Sequence, residues 1–159
     1  MTEMNGEKTA LLLLGCPQVP VQTSMVLYLA YGLKQQGIRP VVAGTTAARR
    51  LMEVADPGRH YLGEMHDLDD MIDAITEKKR DFDLCFVFIH NDSGVAYAGT
   101  MAYISKARLY ALIFGEHAEE LAEEIEFPCE IVAAKATHNP MPLKRRLEEV
   151  MQWAAVSKR

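Results

Sequence analysis

The sequence predicts a single α/β domain, a three-layer α/β/α sandwich around a mainly parallel sheet of five or six strands. Short apolar runs alternate with segments whose apolar residues recur at helical spacing, the pattern of strand-helix-strand crossovers. Nearly every run ends in glycine or a reactive polar residue, as strands do where they open into loops of a Rossmann-like sheet. At 159 residues, the chain suits one domain that buries roughly two-thirds of its unfolded surface.

Thr9 to Gly15 reads as a first strand buried on both faces and closed by a Gly-Cys-Pro turn. Thr23 or Ser24 is positioned to cap a helix carrying Val26, Leu27, Leu29, Ala30 and Leu33, which Gly37 ends. A strand over Arg39 to Ala43 follows. Thr45 or Thr46 caps a short helix through Val54, and Asp56-Pro57-Gly58 turns the chain. His60 to Met65 fits a short edge strand. Asp67 precedes a helix with Leu68, Met71, Ile72 and Ile75 on one face. Asp69 and Asp70 lie in its first turn and Lys78, Lys79 and Arg80 in its last, the order the helix dipole favours.

Leu84 to Ile89 is a wholly apolar strand with aromatic and β-branched residues. After the His90 to Gly94 turn comes a helix rich in small residues, Val95 to Lys106, then a strand over Leu109 to Phe114 and an acidic helix over Ala118 to Ile125. Pro128 precedes the last strand, Cys129 to Ala134, and Pro142 opens a final helix through Trp153. Right-handed crossovers connect these strands, and by analogy with doubly wound sheets the expected order is 3-2-1-4-5-6.

The charge balance narrows the partners. With 22 acidic and 17 basic residues the net charge is -5, which disfavours nucleic acid and anionic membrane. Three cysteines, an odd number in a chain of this size, point to a reducing compartment. Met1 to Lys8 lacks the features of a signal peptide, and no apolar stretch approaches the roughly 18 residues a membrane span requires. A cytoplasmic protein is expected, and a homodimer is the simplest assembly.

In a parallel sheet the run-ends meet on the carboxyl edge, where ligands bind. The first of these loops, Gly15-Cys16-Pro17-Gln18-Val19-Pro20, departs from Gly-x-Gly-x-x-Gly: its prolines remove two backbone donors that a pyrophosphate would need. Cys16, between a strand end and a helix start, is a candidate nucleophile or metal ligand, or a small packing residue. Cys85 and Cys129 fall inside strands and read as core.

The turn His90-Asn91-Asp92-Ser93-Gly94 is the densest in hydrogen-bonding groups. Asp92 or Ser93 can cap the next helix, while Gly94, Ala96, Ala98 and Gly99 either leave backbone open to an anion or allow close packing on the sheet. His117 and His138 follow the next two strands. Together with Cys16 and His90 they are candidate metal ligands, or a thiolate with an imidazole base, although Cys-x-x-Cys and His-x-x-x-His spacings are absent. Gly15, Asn91, Asp92, Ser93, Gly94, Gly115, Lys135 and His138 complete the candidate binding residues, Lys135 as an anion contact or a solvated charge. Asn139-Pro140-Met141-Pro142 forms a stiff rim.

The remaining features read as structure. Lys144, Arg145 and Arg146 alternate with Leu143 and Leu147 as a solvated helix face. His60 and His66 flank the edge strand, where the acids near His66 suit a helix start. Tyr28, Tyr31, Tyr97 and Tyr103 sit at packing positions, with Tyr97 one turn beyond the polar loop.

Leu-Leu-Gly-Cys-Pro-Gln-Val-Pro at 13 to 20, Ala-Asp-Pro at 55 to 57 and His-Asn-Asp-Ser-Gly at 90 to 94 resemble an uncharacterised archaeal family, found mainly in methanogens and described as a domain of unknown function. The resemblance covers nearly the whole chain and implies a Rossmann-like fold without an activity. Corrinoid-binding domains are similar in the opening strand and helix, but their Asp-x-His-x-x-Gly is absent around His66 and His90. Sulfur-relay proteins of this architecture carry their reactive cysteine in a later loop than Cys16.

The expected function is binding of a small molecule or cofactor, of unknown identity, at the carboxyl edge. Catalysis by Cys16 with His90 as base is its sharper form. The alternative is a noncatalytic interaction or regulatory subunit of an archaeal complex, docking through the acidic Glu119 to Glu126 segment and the proline-rich rim.

Overall fold

A computed structural model describes residues 6–152. The elements, in order, are β1 (Lys8–Leu14), α1 (Val21–Gln35), β2 (Ile38–Gly44), α2 (Thr46–Ala55), β3 (Glu64–Asp67), α3 (Leu68–Thr76), β4 (Leu84–Ile89), α4 (Asp92–Ile104), β5 (Arg108–Ile113), α5 (Ala118–Glu123), β6 (Glu130–Ala133) and α6 (Met141–Met151). The six strands form one parallel sheet in the order β3-β2-β1-β4-β5-β6, as the sequence predicts.

Alternation along each strand divides the core between two faces. Leu12, Leu14, Phe86 and Phe88 pack with Met25 and Leu29 of α1, Met52 of α2 and Leu147 of α6. Leu11, Leu13, Cys85 and Val87 pack with Met71 of α3, Met101 of α4 and Leu121 of α5. Both faces are covered, so the central strands read as continuous apolar runs. Among the described residues no helix is long and apolar enough to cross a membrane.

Several boundaries differ from the sequence reading for identifiable reasons. The α1 helix starts at Val21 after Pro20 without a side-chain cap. Thr23 and Ser24 lie inside it, and Ser24 Oγ donates back to the Val21 carbonyl at 3.2 Å. Thr45, rather than Thr46, caps α2 by accepting from Ala48 N.

The edge strand begins at Glu64 because residues 60 to 62 are tied elsewhere. The buried Asp56 carboxylate, 6% exposed, accepts from the backbone N–H groups of His60, Tyr61 and Leu62 at 2.9, 3.0 and 2.9 Å. Those donors cannot also serve a strand ladder.

Asp67 caps α3 as its position suggests, accepting from Asp69 N and Asp70 N. The helix stops at Thr76, and Lys78 turns left-handed at φ 61°, so Lys78, Lys79 and Arg80 leave it instead of filling its last turn. Asn91, rather than Asp92 or Ser93, caps α4. Trp153 lies outside the described residues.

Candidate functional site

Parallel strands carry the loops after β1, β4, β5 and β6 to one edge, and backbone bonds draw these loops together. Val21 N donates to Thr137 O at 3.1 Å, Gly115 N to Ala136 O at 2.8 Å and Phe114 N to Ile89 O at 2.9 Å. Gly115 has φ +92°, and a Cβ there would stand 3.7 Å from His90 Cβ and 3.8 Å from Val19 Cγ2. The first loop, the tip of β4 and the turn after β5 therefore converge on Gly115.

The order reverses between β1 and β4, with α1 covering one face and α4 the other. His90 follows Ile89, so alternation sends its ring to the α1 face. There it stacks on Phe114, ring centroids 5.6 Å apart and planes at 20°. Gln22, in the first turn of α1, is 2% exposed, and its Nε2 donates to Gly15 O at 3.2 Å. Among the described residues, Gln22 Oε1 and His90 Nε2 are the buried side-chain polar atoms without a hydrogen-bond partner. Burial lowers the His90 pKa, which keeps the imidazole neutral at neutral pH. One uncharged acceptor and one uncharged ring nitrogen thus lie at the switch point.

The other candidates form an exposed rim. Cys16, Asp92, Ser93, His117, Lys135 and His138 are exposed. His117 Nδ1 lies 3.6 Å from Glu120 Oε2, with 77% of its side chain open to solvent. Among the described residues no three His, Cys, Asp or Glu side chains are grouped to hold a metal ion, so Cys16, His90, His117 and His138 are not assembled as a ligand set. Burial pushes the Cys85 and Cys129 thiols up; Cys85 lies in the core of β4 as expected, whereas Cys129 is half-buried and precedes β6 instead of falling inside it.

Several of the donors that could cradle a phosphate are already engaged. Gln18 N donates to Cys16 O and Gln22 N to Val19 O, besides Val21 N to Thr137 O, while Pro17 and Pro20 have none. At α4, Gly94 N donates to Asn91 Oδ1 at 3.1 Å. Gly94 is also needed for packing, since a Cβ there would come within 3.0 Å of Ile89 Cα. Of the two readings of that glycine, the close approach of helix to strand has direct geometric support.

Gln22 is the residue the sequence reading missed. It stands three, four and seven positions before Met25, Val26 and Leu29, so helical spacing puts a polar side chain on the buried stripe. Two concavities, about 700 Å³ and 440 Å³, lie at the opposite, amino edge of the sheet.

The model of the family described as "Domain of unknown function (DUF1890)" matches residues 11–150. The chain belongs to this family. One relative by sequence is "Uncharacterized protein MJ0452" of Methanocaldococcus jannaschii, 32% identical over 145 residues that span 90% of this chain and 97% of that protein. Among solved structures, "Structure of MT0777" is similar at 39% identity with a TM-score of 0.84, covering 91% of this chain and 97% of that one. The resemblance to an uncharacterised archaeal family with a Rossmann-like fold is thus borne out.

Proposed function

We propose that the protein binds an uncharged small molecule at the carboxyl edge of its sheet, with Gln22 and His90 as hydrogen-bonding anchors. The observation that carries this reading is the pair of partnerless buried atoms, Gln22 Oε1 and His90 Nε2, on one face of the switch point. A buried polar group without a partner costs about 1–3 kcal/mol, and such costs persist where a site requires the group. Neither anchor carries charge, and the backbone donors of Gln18, Val21, Gln22 and Gly115 are spent on protein carbonyls. Both facts favour a neutral ligand over a phosphate.

Because both anchor atoms are buried, a ligand reaches them only if the covering Cys16 to Pro20 loop moves. Cys16, Asn91, Asp92, Ser93, Gly94, Gly115, Lys135 and His138 then border the entrance. Binding is preferred to catalysis by Cys16 with His90 as base, because Cys16 is exposed while His90 Nε2 is sealed.

A stability measurement tests the reading. His90→Phe keeps an aromatic ring against Phe114 and removes the partnerless nitrogen. Its ligand-free form should gain about 1 kcal/mol, raising the melting temperature by about 2–4 °C. A variant less stable than wild type by that amount would mean that the imidazole supports the fold, and the anchor role would be lost.

A further inference from the structure

We propose a second site at the amino edge of the sheet that takes a small oxyanion between Arg39 and Arg80. The concavity of about 700 Å³ there is lined by both arginines together with Lys8 and Lys79. Glu64, at the start of β3, holds the arginines as a pair: Oε1 accepts from Arg39 Nη1 and Oε2 from Arg80 Nη1, each at 2.6 Å. Glu64 lines the neighbouring smaller concavity, so it grips the pair from the far side.

One carboxylate between two guanidiniums leaves a positive charge over, and Glu64 engages one nitrogen of each. A guanidinium has five N–H donors in a planar fork suited to carboxylate or phosphate oxygens, so donors remain for a second anion. Arg80 is further fixed over the Phe82 ring, Cζ to centroid 4.9 Å. The Arg80 hydrogen bond, with those of His66 and Arg39, outweighs burial and holds the Glu64 carboxyl down at about 2, so the clamp persists across the neutral and mildly acidic range.

The acids lining the concavity keep their charge, but they differ in whether their oxygens are already engaged. Asp81 accepts from Phe82 N, Ser105 Oγ and Lys106 N at 2.8, 2.6 and 2.9 Å, and Asp83 Oδ2 from Thr9 N at 2.9 Å. Glu7 is different. Exposed, and 3.5 Å from Arg39 Nε, its carboxylate rests where a ligand oxyanion would bind and acts as a displaceable competitor.

The test is an amide and arginine Nε NMR titration of the full chain at constant ionic strength, with inorganic phosphate in one arm and succinate in the other. Saturable shifts are expected at Thr9, Phe82, Asp83 and the Arg39 side chain, and the tighter arm identifies the oxyanion class. Arg80→Gln should weaken binding by about tenfold or more. Glu7→Gln, an exposed substitution with little risk to folding, should tighten it about threefold by removing the competitor. No saturable shift in either arm overturns the site, and so does a Glu7→Gln variant that binds no more tightly than wild type. The carboxyl-edge reading stands or falls separately, because its reporters are Gln22 and His90.

Discussion

Asp56→Ala is expected to lower the free energy of unfolding by about 3–4 kcal/mol, since it strips three backbone N–H groups of a charged acceptor at once. For a chain of this length that corresponds to a fall in melting temperature of roughly 10 °C. The damage should reach beyond the turn. Asp56 holds the segment that seats Leu62, 2% exposed, in the core and sets Tyr61 edge-on to Tyr31 at 6.1 Å. Urea unfolding of the alanine variant measures the loss, and a change below about 1 kcal/mol would show that water replaces the carboxylate.

The same carboxylate predicts an acid dependence with a definite sign. Burial pushes the Asp56 carboxyl up, but the N–H groups of Leu62, Tyr61 and His60 outweigh it, and the pKa ends below the ordinary aspartate value. A depressed folded-state pKa contributes stability that is complete above the unfolded value and is lost as pH falls through the folded one. Asp56→Asn, which cannot titrate, should remove that part of the acid sensitivity.

Gly94→Val is the second substitution with a large expected effect, a loss of about 2–3 kcal/mol. A Cβ at this position would lie 3.0 Å from Ile89 Cα and 3.1 and 3.2 Å from its side-chain carbons. The obstruction includes strand backbone, which yields less readily than a side-chain tip, so α4 must move off β4. Asn91, which caps that helix, and His90 beside it should move as well. Gly94→Ala separates the two roles considered for this glycine. Close packing predicts a measurable loss of stability without ligand, whereas a glycine reserved for ligand approach predicts unchanged stability and weakened binding.

What the sequence revealed depended on whether the deciding interaction was local. Leu84 to Ile89 is read with its exact limits because burial on both faces makes the whole strand apolar. The alternation of runs and helical segments revealed the parallel sheet, and its order is the one common to doubly wound folds. The start of β3 was hidden, since it depends on which backbone donors Asp56 captures up to six residues away.

The start of α1 was hidden for a different reason. Its first turn has no side-chain cap, so Thr23 and Ser24 offered a signal that the helix does not use. His90 stood out as a polar residue ending an apolar run. Gln22 was legible in principle from its place on the buried stripe, whereas the amino-edge cluster joins Glu64 to Arg39 and Arg80 across 25 and 16 residues, a separation no periodicity records. Gly94 left two readings open, ligand approach or close packing, because its neighbour in space, the Ile89 backbone, is invisible in the chain.

Native mass spectrometry of the protein purified without denaturation, beside Gln22→Leu and His90→Phe purified in the same way, tests most directly whether the switch point holds a ligand. The predicted result is a noncovalently bound small molecule on the wild-type chain that both folded variants lack. A bare wild-type chain, or a molecule carried equally by all three proteins, would contradict a site anchored on Gln22 and His90.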